Sequence, residues 1–284
     1  MPNKKSTAKQ WLLAPREVGL NRDTDLLKLI AMVTMFIDHL GAMLQAYYYK
    51  KLVSADVYSI ANYMRYIGRV AFPIYAYCIA VGCVYSKNRS KYLSRIAMLG
   101  LISQPIYVYA MEHMNGTLKN IRFSEHFFSS ALKFYLNSWW DPSIFLTLAL
   151  GLLIIWCIRE KKLVLTLAMV VVVWAVQGAH TGWDGIDYKW QGVALIVLFY
   201  LFIQRWWLSL PVILAFMIWW CLGNQVYLFG VGFRSEVFAL LALPLIYIPT
   251  YSKIKINKWV FYWYYPAHLL VLIVIKYFIR LAHG

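Results

Sequence analysis

The sequence predicts an all-α, polytopic transmembrane helix bundle of about nine spans, with the N-terminus inside and the C-terminus outside. Three observations carry this expectation. Hydrophobic residues make up 62% of the 284 and charged residues only 14%, with a mean hydropathy of +0.57, a balance that soluble domains of this size do not show. Apolar runs long enough to cross a bilayer recur along the whole chain. No Ser/Gly tract or internal repeat separates them, so residues 26–284 read as one membrane-embedded domain behind a cytoplasmic tail, 1–25.

The elements follow in order. The tail, MPNKKSTAKQWLLAPREVGLNRDTD, is polar and lacks an apolar core ending in a small-residue cleavage site, so the first span reads as a retained anchor. Spans are expected over 26–48, 66–85, 92–111, 142–158, 163–180, 190–204, 206–222, 235–251 and 258–281. Of the Lys and Arg in loops and near span ends, sixteen fall on inner and nine on outer segments, the direction of the positive-inside rule. This asymmetry, rather than nucleic acid, accounts for the net charge of +16. Trp pairs at 139–140, 206–207 and 219–220 fall at span ends, as an interfacial belt would. The long outer connection, 112–141, reads as an interfacial amphipathic helix or as a lid over an outward-facing site. Cys78, Cys83, Cys157 and Cys221 have no zinc or disulfide spacing and read as small core hydrophobes; no metal is expected.

Ionisable residues inside spans are costly and mark candidate sites. Asp38 and His39 lie past the midplane of the first span. Arg69 lies near the outer end of the second, and His268 about 10 residues into the last. His180, Asp184 and Asp187 stand at or near the outer end of the fifth. Adjacent helical residues point about 100° apart, so Asp38 and His39 need different partners, and Arg69 is the expected counter-ion of Asp38 by depth. That pair reads either as a helix lock or as part of a site. His39 is the group whose ordinary pKa suits a base near neutral pH; His268, two residues after Pro266, either serves chemistry or bonds a freed carbonyl. At the inner face, Lys87, Arg89 and Lys91 read as a positive-inside loop or, with Arg95, as a vestibule for a phosphate-bearing ligand such as coenzyme A.

LLKLIAMVTMFIDHLGAML, IGRVAFPIYAYCIAVG, KYLSRIAMLGLISQPIY, FLTLALGLL, WDGIDYKWQGVALIVLFY, FALLALPLIYIPT and FYWYYPAHLLVL, in this order, resemble the TraX family, and more distantly the transmembrane acyltransferases. The resemblance spans about residues 26 to 275. It implies a membrane-bound, acetyl-CoA-dependent N- or O-acyltransferase of a bacterial inner or plasma membrane, as in the family's conjugative pilin N-acetyltransferase. The matching positions are Asp38, His39, Gly68, Arg69, Phe72, Pro73, Arg95, Asp187, Tyr188, Pro266 and His268.

On this reading His39 is the general base, with His268 a second base should an acyl-His39 intermediate form. Asp38, held by Arg69, orients the helix. Arg95, Lys87, Arg89 and Lys91 hold acyl-CoA, and Asp187 and Tyr188 receive an amine or hydroxyl acceptor, such as a pilin-like peptide or a glycan. The rival class is a solute transporter or flippase, which intramembrane charges and broken spans would also suit. An assembly or scaffold protein, indifferent to loss of His39 or Arg69, is a third. No Gly-x-Ser-x-Gly or His-Glu-x-x-His pattern suggests a protease.

Overall fold

The computed structural model describes residues 15, 17–111, 127–178 and 185–282. The described chain is mostly helical, as expected. α1 (Thr24–Tyr49), α2 (Ala55–Gly68) and α3 (Ala71–Tyr85) open the bundle, followed by α4 (Arg89–Ala110), α5 (Phe127–Ser138), α6 (Ile144–Arg159), α7 (Leu163–Gly178), α8 (Lys189–Phe202) and α9 (Trp206–Cys221). A hairpin of β1 (Leu222–Leu228) and β2 (Val231–Phe233) comes next. A 3-10 segment, Ser235–Leu241, runs into α10 (Ala242–Tyr247), and α11 (Lys258–Leu281) closes the chain. Among the described residues, three helical stretches are long and apolar enough to cross a membrane: Thr24–Tyr49, Ala55–Tyr85 and Lys258–Leu281; the other apolar helices there are shorter.

α1 starts at Asp23, whose side chain accepts from the Leu26 amide and from the Ser252 amide at 2.6 Å. Burial works to raise the Asp23 carboxyl, and the hydrogen bonds from Ser252 and Leu26 outweigh it, so it titrates below its ordinary value. The packed domain begins before residue 26. Val18, Leu20 and Asn21 are buried, and the Asn21 side chain donates to the Leu245 carbonyl and the Thr250 hydroxyl.

The second span starts earlier than the sequence indicates. Residues 55–65 are already helical as the first part of α2, and only Arg69 and Val70, both with right-handed helical backbone, separate α2 from α3. Polar residues in ADVYSIANYMRY lower the local hydropathy, so this helical start reads as a loop in the sequence. α2 lies close on α1 because Gly41 has no side chain: a Cβ there would sit 2.8 Å from the Ala61 carbonyl oxygen and 2.9 Å from Met64 Cβ. Small residues at helix contacts permit such close approach.

Elsewhere the expectations divide. In α5, Phe128, Leu132 and Leu136 form an exposed i, i+4, i+8 row. Gln104 anchors the following corner, donating to the Ser138 and Asp141 carbonyls at 2.6 and 2.8 Å and accepting from the Ser143 amide at 2.9 Å. Residues 112–126 lie outside the described residues. Trp140, Trp206, Trp207 and Trp219 are exposed, whereas Trp220 is buried and packs edge-on to Phe72 and Tyr188. The expected loop after α9 is instead the β1–β2 hairpin. Phe229 and Gly230, both at positive φ (52° and 80°), make the tight turn that matches strand twist. All four cysteines are buried thiols.

Candidate functional site

α1, α3, α4, α6 and α11 surround a cavity of about 400 Å³. One end is lined by Lys28, Arg95, Lys258 and Tyr262, the other by Asp38, His39, Gly68, Asp187, Tyr188 and Tyr265. Lys28 and His39 are 11 residues apart on α1, so the cavity reaches about 16 Å into the bundle at 1.5 Å per residue.

The two histidines meet at the deep end. His39 Nδ1 and His268 Nε2 are 2.8 Å apart, and their rings stack at 5.1 Å and 16°. His268 Nδ1 lies 3.1 Å from the Tyr264 carbonyl oxygen. A carbonyl only accepts, so His268 Nδ1 carries the proton and its Nε2 holds a lone pair. That lone pair requires His39 Nδ1 to donate, which leaves the His39 lone pair on Nε2. The tautomers follow from the network, and they make His39 Nε2 the basic nitrogen. His268 thus bonds the backbone, as a histidine near a proline kink can, and also orients His39. Tyr264 fixes this arrangement from below. Its ring stacks on His268 at 5.1 Å, and its hydroxyl donates to the Met32 carbonyl at 2.6 Å, tying α11 to α1.

The expected Asp38–Arg69 pair is corrected. Asp38 Oδ2 pairs with Arg65 Nη1 of α2, and Arg69 pairs with Glu236 at 3.2 Å, donating also to the Ser235 hydroxyl at 3.3 Å. Arg65 and Arg69 lie one helical turn apart. Arg65 takes Asp38 because the helix extends through it, while the 3-10 segment brings Glu236 to Arg69. Gly68 makes room for Asp38, since a methyl group there would overlap Asp38 Cβ and Oδ1. Gly68→Ala is therefore expected to cost about 1–3 kcal/mol through overpacking, read as a lowered midpoint of thermal unfolding in detergent.

The basic residues are redistributed as well. Arg95 lines the cavity, but Lys87, Arg89 and Lys91 are not among its lining residues; Lys28 and Lys258 are. Arg89 turns back to the Cys83 carbonyl. Lys28 is held by Asp25 at 3.6 Å and lies over the Phe261 ring at 4.8 Å, which fixes an ammonium at the mouth. The cluster 87–91 sits at the very start of α4, short of the turn that carries Arg95 to the cavity wall, so its charges stand outside the enclosed space.

Asp187 and Tyr188 do reach the site. Thr147 of α6 donates to the Asp187 carbonyl. Tyr188, at a positive φ of 58°, stacks on Phe72 at 3.9 Å and 8°. His180 and Asp184 lie outside the described residues. No residue of α5 is among the lining residues of this cavity. Sequence reasoning missed Arg65, Glu236, Lys28, Lys258 and Tyr265. Arg65 had one available signal, its i, i+4 spacing to Arg69.

No solved structure matches the chain. A "Probable fimbrial assembly protein FimC, serogroup H1" from Dichelobacter nodosus is 27% identical over 146 residues, 51% of this chain and 50% of that protein. The chain thus matches about half the length of this relative. The family profile described as "TraX protein" matches residues 23–276. That stretch runs from the N-cap of α1 into the last turns of α11 and contains both histidines, the Asp38–Arg65 pair and every cavity-lining residue named above: the chain belongs to the TraX family.

Proposed function

We propose that the protein is a membrane acyltransferase. It takes an acetyl group from cytoplasmic acetyl-CoA at the mouth of the cavity and passes it to an amine or hydroxyl acceptor arriving from the outer side. One observation carries the reading: a single cavity joins three basic side chains to an oriented histidine pair about 16 Å away. Phosphates suit the mouth, where Arg95 offers a planar guanidinium and Lys28 and Lys258 offer point charges. A slender acyl-carrying arm suits the depth.

The reaction needs one proton relay. His39 Nε2 takes the proton of the acceptor as its nitrogen or oxygen attacks the thioester carbonyl carbon. The imidazolium so formed keeps its Nδ1–H bond to His268. When the tetrahedral intermediate collapses, the C–S bond breaks and His39 returns the proton to the departing thiolate. Asp38 Oδ1, buried and without a hydrogen-bond partner among the described residues, is an acceptor that a primary amine could meet with a second N–H.

A pilin-like peptide is the favoured acceptor, because the family is linked to pilus assembly and the Dichelobacter relative is named for fimbrial assembly. Nine spans, an inner N-terminus, an outer C-terminus and a bacterial inner membrane complete the proposal.

Acetyl-CoA provides the test. At about 100 times its Kd it is expected to stabilise the purified protein by about 2.7 kcal/mol, and Arg95→Ala combined with Lys258→Ala is expected to raise KM for acetyl-CoA roughly 10–100-fold. Lys87→Ala with Lys91→Ala should leave KM near the wild-type value. A protein indifferent to acetyl-CoA but stabilised by another solute would be a transporter instead.

A further inference from the structure

Tyr264 and Tyr265 stand side by side on α11, and packing treats their hydroxyls differently. Tyr264 is hydrogen-bonded to the Met32 carbonyl. Tyr265 is 4% exposed, lines the cavity, and its hydroxyl has no hydrogen-bond partner among the described residues. A buried hydroxyl left unpaired costs about 1–3 kcal/mol, so its presence beside the histidine pair needs a reason. Its ring is fixed from three sides. It meets Phe145 at 4.6 Å and 75°, His268 at 5.1 Å and 79°, and His39 at 6.2 Å and 86°.

We propose that Tyr265 is a catalytic residue whose hydroxyl donates a hydrogen bond to the carbonyl oxygen of the acyl group that His39 helps to transfer. The assignment rests on the acyl-transfer reading above. Attack on a thioester carbonyl moves the C=O π electrons onto oxygen, and that oxyanion needs a donor held in place beforehand. The His39 and Tyr265 rings stand edge to face, 6.2 Å between centroids, and both line the deep end of the one cavity, so a carbonyl bound there meets the base and the phenol together. Neither Arg65 nor Arg69 lines the cavity; their guanidiniums pair with Asp38 and Glu236. Lys28, Arg95 and Lys258 stand at the mouth. A neutral phenol fits this position chemically. It strengthens its bond as charge develops on oxygen and, unlike a lysine, adds no cation beside His39. When the intermediate collapses, the electron pair returns to the C=O bond, the thiolate leaves, and Tyr265 keeps its proton.

Tyr265→Phe preserves every ring contact and removes only the hydroxyl. Turnover of acetyl-CoA, followed as coenzyme A release with a short peptide bearing a free α-amino group, is expected to fall about 10²–10³-fold in kcat with KM for acetyl-CoA little changed. The unfolding midpoint should stay or rise, because an unpaired buried group has gone. A second readout does not need turnover: isotope-edited infrared spectra of bound [1-¹³C]acetyl-CoA should show the thioester carbonyl stretch at lower frequency in wild type than in Tyr265→Phe. Equal spectra and equal kcat in a wild type that binds acetyl-CoA would overturn the role of Tyr265 and leave the acyltransferase intact. Failure of the wild type to bind acetyl-CoA would overturn the acyl-transfer reading, and the Tyr265 assignment with it.

Discussion

Replacing Arg65 by Ala is expected to destabilise the protein by about 3–5 kcal/mol, because it strands the Asp38 carboxylate in a buried position without its partner. The Asp38 side chain is only 11% exposed and that of Arg65 21%, so water cannot take over the role of the guanidinium. Asp38→Asn should also cost stability, and the double variant Asp38→Asn/Arg65→Ala less than the sum of the two, because neither charge is then left alone. The measurement is a double-mutant cycle on unfolding in detergent. The same cycle on Asp38 and Arg69 should show weaker coupling, since the ion-pair partner of Arg69 is Glu236. Stronger coupling to Arg69 than to Arg65 would restore the pairing the sequence suggests.

The second large effect is chemical. His39→Ala is expected to lower kcat for coenzyme A release about 10²–10⁴-fold, the usual worth of a positioned general base, while acetyl-CoA still raises the unfolding temperature. His268→Ala should lower kcat by less, because His39 keeps its basic nitrogen but loses the acceptor that holds its Nδ1–H. Wild-type turnover in His39→Ala would remove the histidine pair from the mechanism and favour transport or scaffolding.

Much of the site was legible residue by residue. Asp38, His39, Arg69 and His268 stand out because ionisable groups inside apolar runs need a reason. Their partnerships were not legible. His39 and His268 are 229 positions apart, and nothing in either run names the other. Arg65 was hidden because hydropathy sets a span boundary at residue 66 where the helix begins at 55. The cluster 87–91 is dense in charge, yet it precedes the part of its helix that reaches the cavity. Lys28 and Lys258, each isolated in sequence, sit in the first turns of the two helices that frame the cavity mouth. Tyr264 and Tyr265 are equal candidates in sequence, and only the packing of α11 on α1 satisfies one hydroxyl and not the other.

Composition and local hydropathy dictate the mainly helical fold, the apolar spans and the buried depth of the few ionisable groups. These features follow from the cost of charge and of unpaired backbone in an apolar medium, which acts locally along the chain. Which charges pair, where the cavity opens and which tyrosine faces it depend instead on how the helices pack. A turn of helix, about 5.4 Å, separates Arg65 from Arg69, and whether a polar group is satisfied depends on atoms brought together from helices far apart in the chain.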